Sequence, residues 1–293
     1  MKKHQSTWLP VVLCVLLAAF AGYAFFRHAK PEPYAFFVAG HTYGVPDAES
    51  AGIYPPFKTQ FPQLKTSEVD FGVLTGDVVI HGSAEEWDNV DADLAELELP
   101  IYFAVGNHDM RDRERFVARY GPTYHSFEYQ DDLFIFLDSE LTTGTIQGAQ
   151  LDFLKGALAS GSPRNIFIFV HRLLWVVEDS PYRVLIPRVN SVLEYDFHND
   201  FWTQIAPLLE ETGAPVYVIA GDVGVSSKMS LFYDEAQNIH LIASGMGGSE
   251  EENYLLFKVT AEGAVQIDAR RLDGRPLDLG VLAAYNLDYY TQP

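Results

Sequence analysis

The chain has 293 residues, of which 40 are acidic and 20 basic, and its formal net charge is −20. This charge excludes nucleic acid as an expected partner, because the average surface repels phosphate, although bound metal ions could still attract phosphate locally. The single cysteine excludes a disulfide framework. Once a membrane-directed N-terminus is set aside, the remaining length suits one large α/β domain or two small ones.

The N-terminal run from Trp8 to Phe26 contains no charged residue, and it approaches the roughly 20 apolar residues that span a bilayer core. Lys2 and Lys3 precede it, which favours a cytoplasmic N-terminus and an exported domain. We therefore predict a cytoplasmic segment, a single-pass transmembrane anchor and a linker at residues 1–7, 8–26 and 27–33. A cleaved signal peptide is the alternative, because small residues in the run offer cleavage sites.

Strand and helix patterns alternate after the linker. A strand is predicted from Tyr34 to Val38, and the apolar residues before Gly76 indicate a second strand. Ser83 and Glu86 form a capping box at the start of a helix, and a third strand follows from Ile101 to Val105. A strand, a helix and a strand in succession form a βαβ unit, which is typical of a parallel sheet.

Further elements are predicted across the rest of the domain, which we place at residues 34–273. They are a hairpin of Tyr124–Tyr129 and Leu133–Leu137, a helix carrying Leu151, Leu154 and Leu158, a strand at Ile166–Val170, a helix capped by Asn199 or Asp200, a strand at Val216–Ala220, and late strands at Ile239–Ala243, Tyr254–Val259 and Ala264–Ala269. The tail at residues 274–293 carries no pattern that places it.

Polar residues stand directly after several of the predicted strands. They are Gly40-His41-Thr42-Tyr43-Gly44, Gly76-Asp77, Gly106-Asn107-His108-Asp109, His171, and Gly221-Asp222-Val223-Gly224. Strand ends of this kind meet at one edge of a parallel sheet, where α/β proteins have their binding and active sites. Carboxylate, amide and imidazole groups are therefore expected to lie close together.

In order and type, these motifs resemble those of the calcineurin-like metallophosphoesterase family, which has Asp-x-His, Gly-Asp, Gly-Asn-His-Asp/Glu, a lone His and Gly-His-x-His. The three middle motifs are intact here. The first and last are altered, with His41 and Tyr43 at the ligand positions of the first motif and Asp222 and Gly224 at those of the last. The resemblance implies a four-layer α/β/β/α sandwich of mixed sheets.

The resemblance also implies a metal site. Asp77 would bridge two ions, and Asn107 and His171 would bind one of them, with the Asp222 carboxylate replacing the usual histidine. The other ion would have only His41, Tyr43 and Asp77, since Gly224 offers no side chain. We therefore predict one firmly bound divalent or trivalent ion, Mn, Zn or Fe, and leave the second open.

The activity implied by the resemblance is hydrolysis of a phosphomonoester or phosphodiester by metal-activated water. His108 would act as the general acid and Asp109 would orient it. Arg172, Tyr43 and His81 are candidate substrate-binding residues. The expected substrate is a phosphorylated small molecule, glycan or lipid, outside the cytoplasm and near a membrane; the sequence specifies neither its identity nor the oligomeric state.

The alternative is a catalytically silent protein of the same fold that binds phosphorylated glycan or lipid at the cell envelope. The retained His108 and Asp109 favour catalysis, because a protein that only binds needs no proton donor. The altered first and last motifs favour the silent alternative. Turnover of an activated aryl phosphate separates the two hypotheses.

Overall fold

The computed structural model describes residues 30–45, 52–225 and 229–292. The predicted cytoplasmic N-terminus, the predicted membrane segment at residues 8–26 and the first part of the linker lie outside the described residues. Within the described ranges, we find no helix with the length and apolar character needed to cross a bilayer.

The first of two mixed sheets has the strand order β11-β10-β1-β2-β3. Its strands are β1 (Tyr34–Ala39), β2 (Phe71–Thr75), β3 (Ile101–Ala104), β10 (Asn253–Val259) and β11 (Val265–Arg271). The strands β1, β2 and β3 are parallel, whereas β10 and β11 complete the sheet in antiparallel register. The predicted βαβ unit is confirmed, because the helix Ala84–Ala95 joins β2 to β3 behind the Ser83 and Glu86 capping box.

The second sheet has the order β4-β5-β6-β7-β9-β8. Its strands are β4 (His125–Tyr129), β5 (Asp132–Phe136), β6 (Ile166–Val170), β7 (Val216–Ala220), β8 (Leu231–Ala236) and β9 (Ile239–Ser244). The central strands β5, β6, β7 and β9 are parallel, and the two edge strands are antiparallel. The prediction of a mixed α/β fold is therefore confirmed, now with two mixed sheets.

The α-helices lie in the connections between strands, except for the last, which follows β11. They are α1 (Pro55–Lys58), α2 (Phe61–Thr66), α3 (Ala84–Ala95), α4 (Arg113–Tyr120), α5 (Gly148–Leu158), α6 (Ala206–Glu210) and α7 (Leu287–Thr291). The helix predicted after Asp200 differs from expectation, because a π-helical turn at Phe201–Ile205 precedes α6. Pro207 lacks the N–H that an α-helical turn would require there, so the backbone widens before the helix continues.

The two sheets pack face to face through aromatic side chains. Phe36 of β1 lies 5.5 Å from Phe134 and 5.1 Å from Phe167, measured between ring centroids across the interface. The next residue, Phe37, points to the opposite face and meets Phe57 of α1 at 6.0 Å. Alternate residues of the buried strand β1 thus serve two separate apolar layers, as the period of two in a strand requires.

The C-terminal tail, which sequence patterns did not place, covers β8, which they did not predict. The Tyr290 hydroxyl donates to the Leu231 carbonyl at 2.6 Å, and the backbone N–H of Tyr233 donates to the Tyr285 carbonyl at 3.0 Å. The Tyr285 hydroxyl donates to Glu251 at 2.5 Å. The edge strand β8 is therefore supported by tyrosines that lie 52 and 59 positions after the residues they contact.

Candidate metal centre

Strand ends from both sheets meet at one place. The side chains that follow them are His41 after β1, Asp77 after β2, Asn107 after β3, His171 after β6 and Asp222 after β7. Close approach of the two sheets here depends on Gly221, since a Cβ atom at that position would lie 2.0 Å from the Thr75 carbonyl oxygen. The backbone of the second sheet therefore touches the end of β2 directly.

Asp77, His171 and Asp222 form a buried cluster at this meeting point. The His171 Nε2 atom lies 3.4 Å from Asp77 Oδ1 and 3.6 Å from Asp222 Oδ1. One ligand atom from each residue lies within 4.8 Å of the others, and among the described residues this is the one group of histidine, cysteine or carboxylate side chains so arranged. The spacing is that of groups facing a shared point.

The polar atoms around this point lack hydrogen bonds of ordinary geometry within the described part of the chain. They are Asp77 Oδ2, Asn107 Oδ1, His171 Nε2 and both carboxylate oxygens of Asp222. The other ring nitrogen of His171 is held by the Thr75 carbonyl at 3.0 Å, which aims Nε2 at the carboxylates. Buried atoms without partners cost about 1–3 kcal/mol each. A cation would satisfy them together, and oxygen and imidazole donors suit Mn, Zn or Fe.

Electrostatics of the metal-free cluster point the same way. Burial disfavours the charged form of His171, but the charges of Asp77 and Asp222 outweigh burial and raise the pKa of His171 to about 10. Burial favours the neutral form of Asp77, but His171 and His41 hold the pKa of that carboxyl below its usual range. Burial raises the pKa of Asp222. A proton on His171 thus supplies positive charge that a metal ion would otherwise bring. We call Asp77, Asn107, His171 and Asp222 the carboxylate half of the site.

His41, Tyr43 and His108, which we call the aromatic half, stand beside it. The His41 ring lies 4.2 Å from the Tyr43 ring, and the Tyr43 ring lies 5.0 Å from that of His108. His41 Nε2 is 3.5 Å from Asp77 Oδ2. Burial lowers the pKa of His41 to about 4, against the Asp77 charge, and burial raises the pKa of Tyr43. These two side chains are therefore neutral at physiological pH.

The last position of the altered fifth motif is closed by backbone. Gly224 has φ +100°, and a Cβ atom there would lie 2.7 Å from both the Gly245 carbonyl carbon and the Met246 nitrogen. A side chain at this position would thus combine an unfavourable left-handed conformation with a clash against backbone. The structure consequently leaves no room for the histidine that the family pattern would have here.

Asp109 binds backbone groups and not the ring of His108, which it is expected to orient. Its carboxylate accepts backbone N–H groups from Asp77 at 2.9 Å, Val78 at 2.8 Å, Val79 at 3.1 Å and Gly106 at 2.9 Å, and it is buried. Burial and the Asp77 charge raise the pKa of Asp109, while these N–H donors oppose the rise by favouring the ionised carboxylate. The prediction that Asp109 orients His108 is wrong, because the carboxylate ties the two strand-end loops together instead.

His108 is oriented by a backbone carbonyl. Its Nδ1–H group donates to the Ile80 carbonyl at 2.8 Å, and its Nε2 atom lies 3.5 Å from the Tyr43 hydroxyl. The ring is half-buried. A backbone carbonyl carries no residue signature, so sequence reasoning could not find this partner.

Two candidate substrate-binding residues are differently placed. The Arg172 side chain is 1% exposed and donates to Glu140 at 2.8 and 2.7 Å and to the Glu194 carbonyl at 3.0 Å. The prediction that Arg172 binds substrate is therefore wrong, since its guanidinium is already enclosed. His81 is exposed, and its Nδ1 atom lies 2.9 Å from Arg111 Nη1.

Comparison with known proteins agrees with the fold. A family model described as calcineurin-like phosphoesterase matches residues 28–186. Purple acid phosphatase PPD1 from yellow lupin seeds superposes with a TM-score of 0.59 at 14% identity, over 85% of this chain and 53% of that one. The chain thus spans about half the length of that relative. A dimetal phosphatase from Danio rerio superposes with a TM-score of 0.59 at 13% identity, over 83% of this chain and 97% of that one. Among curated proteins, none matches.

Proposed function

The chain belongs to the calcineurin-like phosphoesterase family, and from that premise we propose that it is a metal-dependent hydrolase of phosphoric esters, acting on a phosphomonoester or phosphodiester. The observation that carries the proposal is the convergence of unpartnered buried oxygen and nitrogen atoms in the carboxylate half. In the metal-free protein, a proton on His171 offsets the charges of Asp77 and Asp222, whereas a bound cation would satisfy all of these atoms together.

One ion is proposed, held by Asp77, Asn107, His171 and Asp222. When bound, it supplies positive charge for the phosphoryl oxygens and lowers the pKa of water. The first-motif position offers His41 and a neutral phenol rather than a second set of ligands, and Gly224 is sterically closed. These features support a single firmly held ion.

His108 is proposed as the proton donor to the leaving oxygen. Because Nδ1–H is committed to the Ile80 carbonyl, the proton that the imidazolium can give away is the one on Nε2. That atom faces the site beside Tyr43. General acid catalysis of this kind contributes about 10²- to 10⁴-fold.

A second candidate function is a silent family member that binds phosphorylated glycan or lipid. The closed backbone at Gly224 favours it, because that closure removes a ligand position permanently. Location near a membrane and outside the cytoplasm, together with a lipid or glycan substrate, remains a proposal that rests on the apolar run of residues 8–26.

Metal analysis of the full-length protein in detergent tests the ion. We expect one tightly held equivalent in the parent protein and none in Asp77→Asn, because this substitution removes a carboxylate charge from the centre of the cluster. The matched control Asp268→Asn, on β11, should keep its metal. Two tight equivalents in the parent would contradict the single-ion site.

Turnover of an aryl phosphate and a bis-aryl phosphate, with Mn, Zn or Fe supplied, tests the activity. We expect hydrolysis by the parent protein and a loss of about 10²- to 10⁴-fold in His108→Ala, with the metal content unchanged. A parent protein that holds its metal but hydrolyses neither compound with any of the three metals would favour the silent alternative.

A further inference from the structure

Arg111 is set apart from the arginines that follow it along the chain. Those residues face carboxylates, in the pairs Arg113 with Asp138, Arg115 with Asp112, and Arg119 with Asp88 and Asp91. Within the described ranges, Arg111 has no such partner, and its Nη1 donates instead to His81 Nδ1 at 2.9 Å. In a chain with a net charge of −20, a guanidinium that avoids carboxylates is available to an external anion.

The loop at residues 80–83 holds Arg111 and His108 in a common frame. The Ile80 carbonyl accepts the Nδ1–H of His108, and the next residue, His81, accepts from Arg111. The Glu86 carboxylate fixes this loop by accepting the backbone N–H of His81 at 3.0 Å and that of Ser83 at 2.8 Å. The guanidinium is therefore positioned by the same loop that orients the proposed proton donor.

Tyr43 faces His108 from the other direction. Its ring is buried, and its hydroxyl is 3.5 Å from His108 Nε2. The phenol thus reaches the Nε2 atom of His108 directly, and the guanidinium is tied to the loop that holds the Nδ1 atom of the same ring. The Tyr43 hydroxyl is thus a hydrogen-bond donor held beside the proposed proton donor.

We propose that Tyr43 and Arg111 form a phosphoryl-binding subsite beside His108, on the side where the altered first motif leaves no complete second set of metal ligands. The phenol donates one hydrogen bond to a non-bridging oxygen, and the guanidinium donates charge-assisted hydrogen bonds. The ligand is the phosphoryl group of a phosphoric ester or inorganic phosphate. This inference rests on the proposed function, because it assigns residues to the same site.

Binding of inorganic phosphate to the metal-loaded, full-length protein, measured by calorimetry, tests the subsite without turnover. We expect Tyr43→Phe to weaken phosphate binding about tenfold, since one hydrogen bond is lost while the ring remains. We expect Arg111→Gln to weaken it about tenfold or more, since a charge-assisted contact is lost. The phosphate affinity of Arg111→Lys should lie between those of Arg111→Gln and the parent, because lysine keeps the positive charge but lacks the forked donor geometry of the guanidinium.

Two variants serve as matched controls. Tyr217 of β7 is a buried tyrosine next to a histidine ring, at 4.4 Å from His240, as Tyr43 is at 4.2 Å from His41, so Tyr217→Phe removes a buried hydroxyl elsewhere in the fold. Arg115→Gln removes a neighbouring guanidinium that is already paired with Asp112. Both controls should bind phosphate like the parent, and the metal content should be one equivalent in all variants.

The outcomes separate this inference from the proposed function. If Tyr43→Phe and Arg111→Gln bind phosphate within twofold of the parent while the parent hydrolyses esters, the subsite is overturned and the hydrolase stands. If phosphate binding depends on both residues but no ester is hydrolysed, the subsite stands and the hydrolase fails. If the metal-loaded parent does not bind phosphate at all, the subsite is overturned.

Discussion

The carboxylate half and the aromatic half of the site differ in where their polar atoms point. In the carboxylate half, buried oxygen and nitrogen atoms face a common point without hydrogen bonds to the described part of the chain. In the aromatic half, the rings pack against one another at tilted angles, and the Tyr43 hydroxyl faces His108. The two halves share the loop after β3, which supplies Asn107 to one and His108 to the other. The difference teaches that neighbouring strand ends of one fold can present either converging carboxylate and imidazole groups or aromatic rings with hydrogen-bonding groups.

The backbone frame that both halves share depends on Asp109. Because its carboxylate accepts backbone N–H groups from both strand-end loops, an amide in its place would turn its own N–H₂ toward those donors. We expect Asp109→Asn to lower the free energy of unfolding by about 3 kcal/mol, and both halves of the site to loosen together. Urea unfolding measures the change.

Asp112→Asn provides the control for this prediction. Asp112 caps α4 by accepting the Arg115 N–H at 3.0 Å, and asparagine caps a helix about as well as aspartate. Its free energy of unfolding should therefore stay within about 0.5 kcal/mol of the parent. Equal stability of the Asp109 and Asp112 variants would show that the carboxylate does not organise the two loops.

Restoring a ligand at position 224 would sharpen the comparison between the halves. Since a Cβ atom there meets backbone at 2.7 Å with φ +100°, we expect Gly224→Ala and Gly224→His each to lose about 2 kcal/mol. Metal analysis should still give one equivalent for both variants. A second equivalent in the histidine variant, absent from the alanine variant, would show that the aromatic half lacks only a ligand.

Much of the fold was predictable because strand ends combine apolar runs with polar turns. The parallel strands β1, β6 and β7 are buried along their whole length, which gives unbroken apolar runs in the sequence. By contrast, β8 is buried only at its first two residues and is supported by the distant Tyr290 hydroxyl. A strand that depends on contacts so distant in sequence has a local pattern too weak for its prediction.

For the site, residue types were predictable and their partners were not. Asp77, His171 and Asp222 stand out in the sequence because metal chemistry restricts which side chains serve as ligands, and the structure brings them together; that they bind a metal stays a prediction. The partners of Asp109 and His108 are backbone N–H groups and a backbone carbonyl, which every residue possesses. Arg172 stands beside His171 in the sequence, which predicts contact with substrate. Its enclosure by Glu140 cannot be foreseen, because it depends on a contact between separate loops.

The pH dependence of metal-free stability offers the finest test of the carboxylate half. The charges of Asp77 and Asp222 outweigh burial and raise the pKa of His171 from 6.5 to about 10. A group whose folded-state pKa is raised contributes stability that is complete below its unfolded pKa and is lost as pH rises through the folded pKa. The free energy of unfolding should therefore fall between about pH 6.5 and 10, by at most about 1.4 kcal/mol per pH unit.

Urea unfolding in chelator at pH 7 and pH 9 measures this slope, and His171→Asn, which has no imidazole to titrate, should lose it. A metal ion needs the unprotonated Nε2 of His171, so binding releases the proton, and metal affinity should rise by up to about tenfold per pH unit over the same window. The metal-loaded protein should then show a flatter stability profile than the metal-free protein. A metal-free profile as flat as that of His171→Asn would mean that Asp77 and Asp222 do not hold a proton on His171, and the electrostatic contrast between the two halves would disappear.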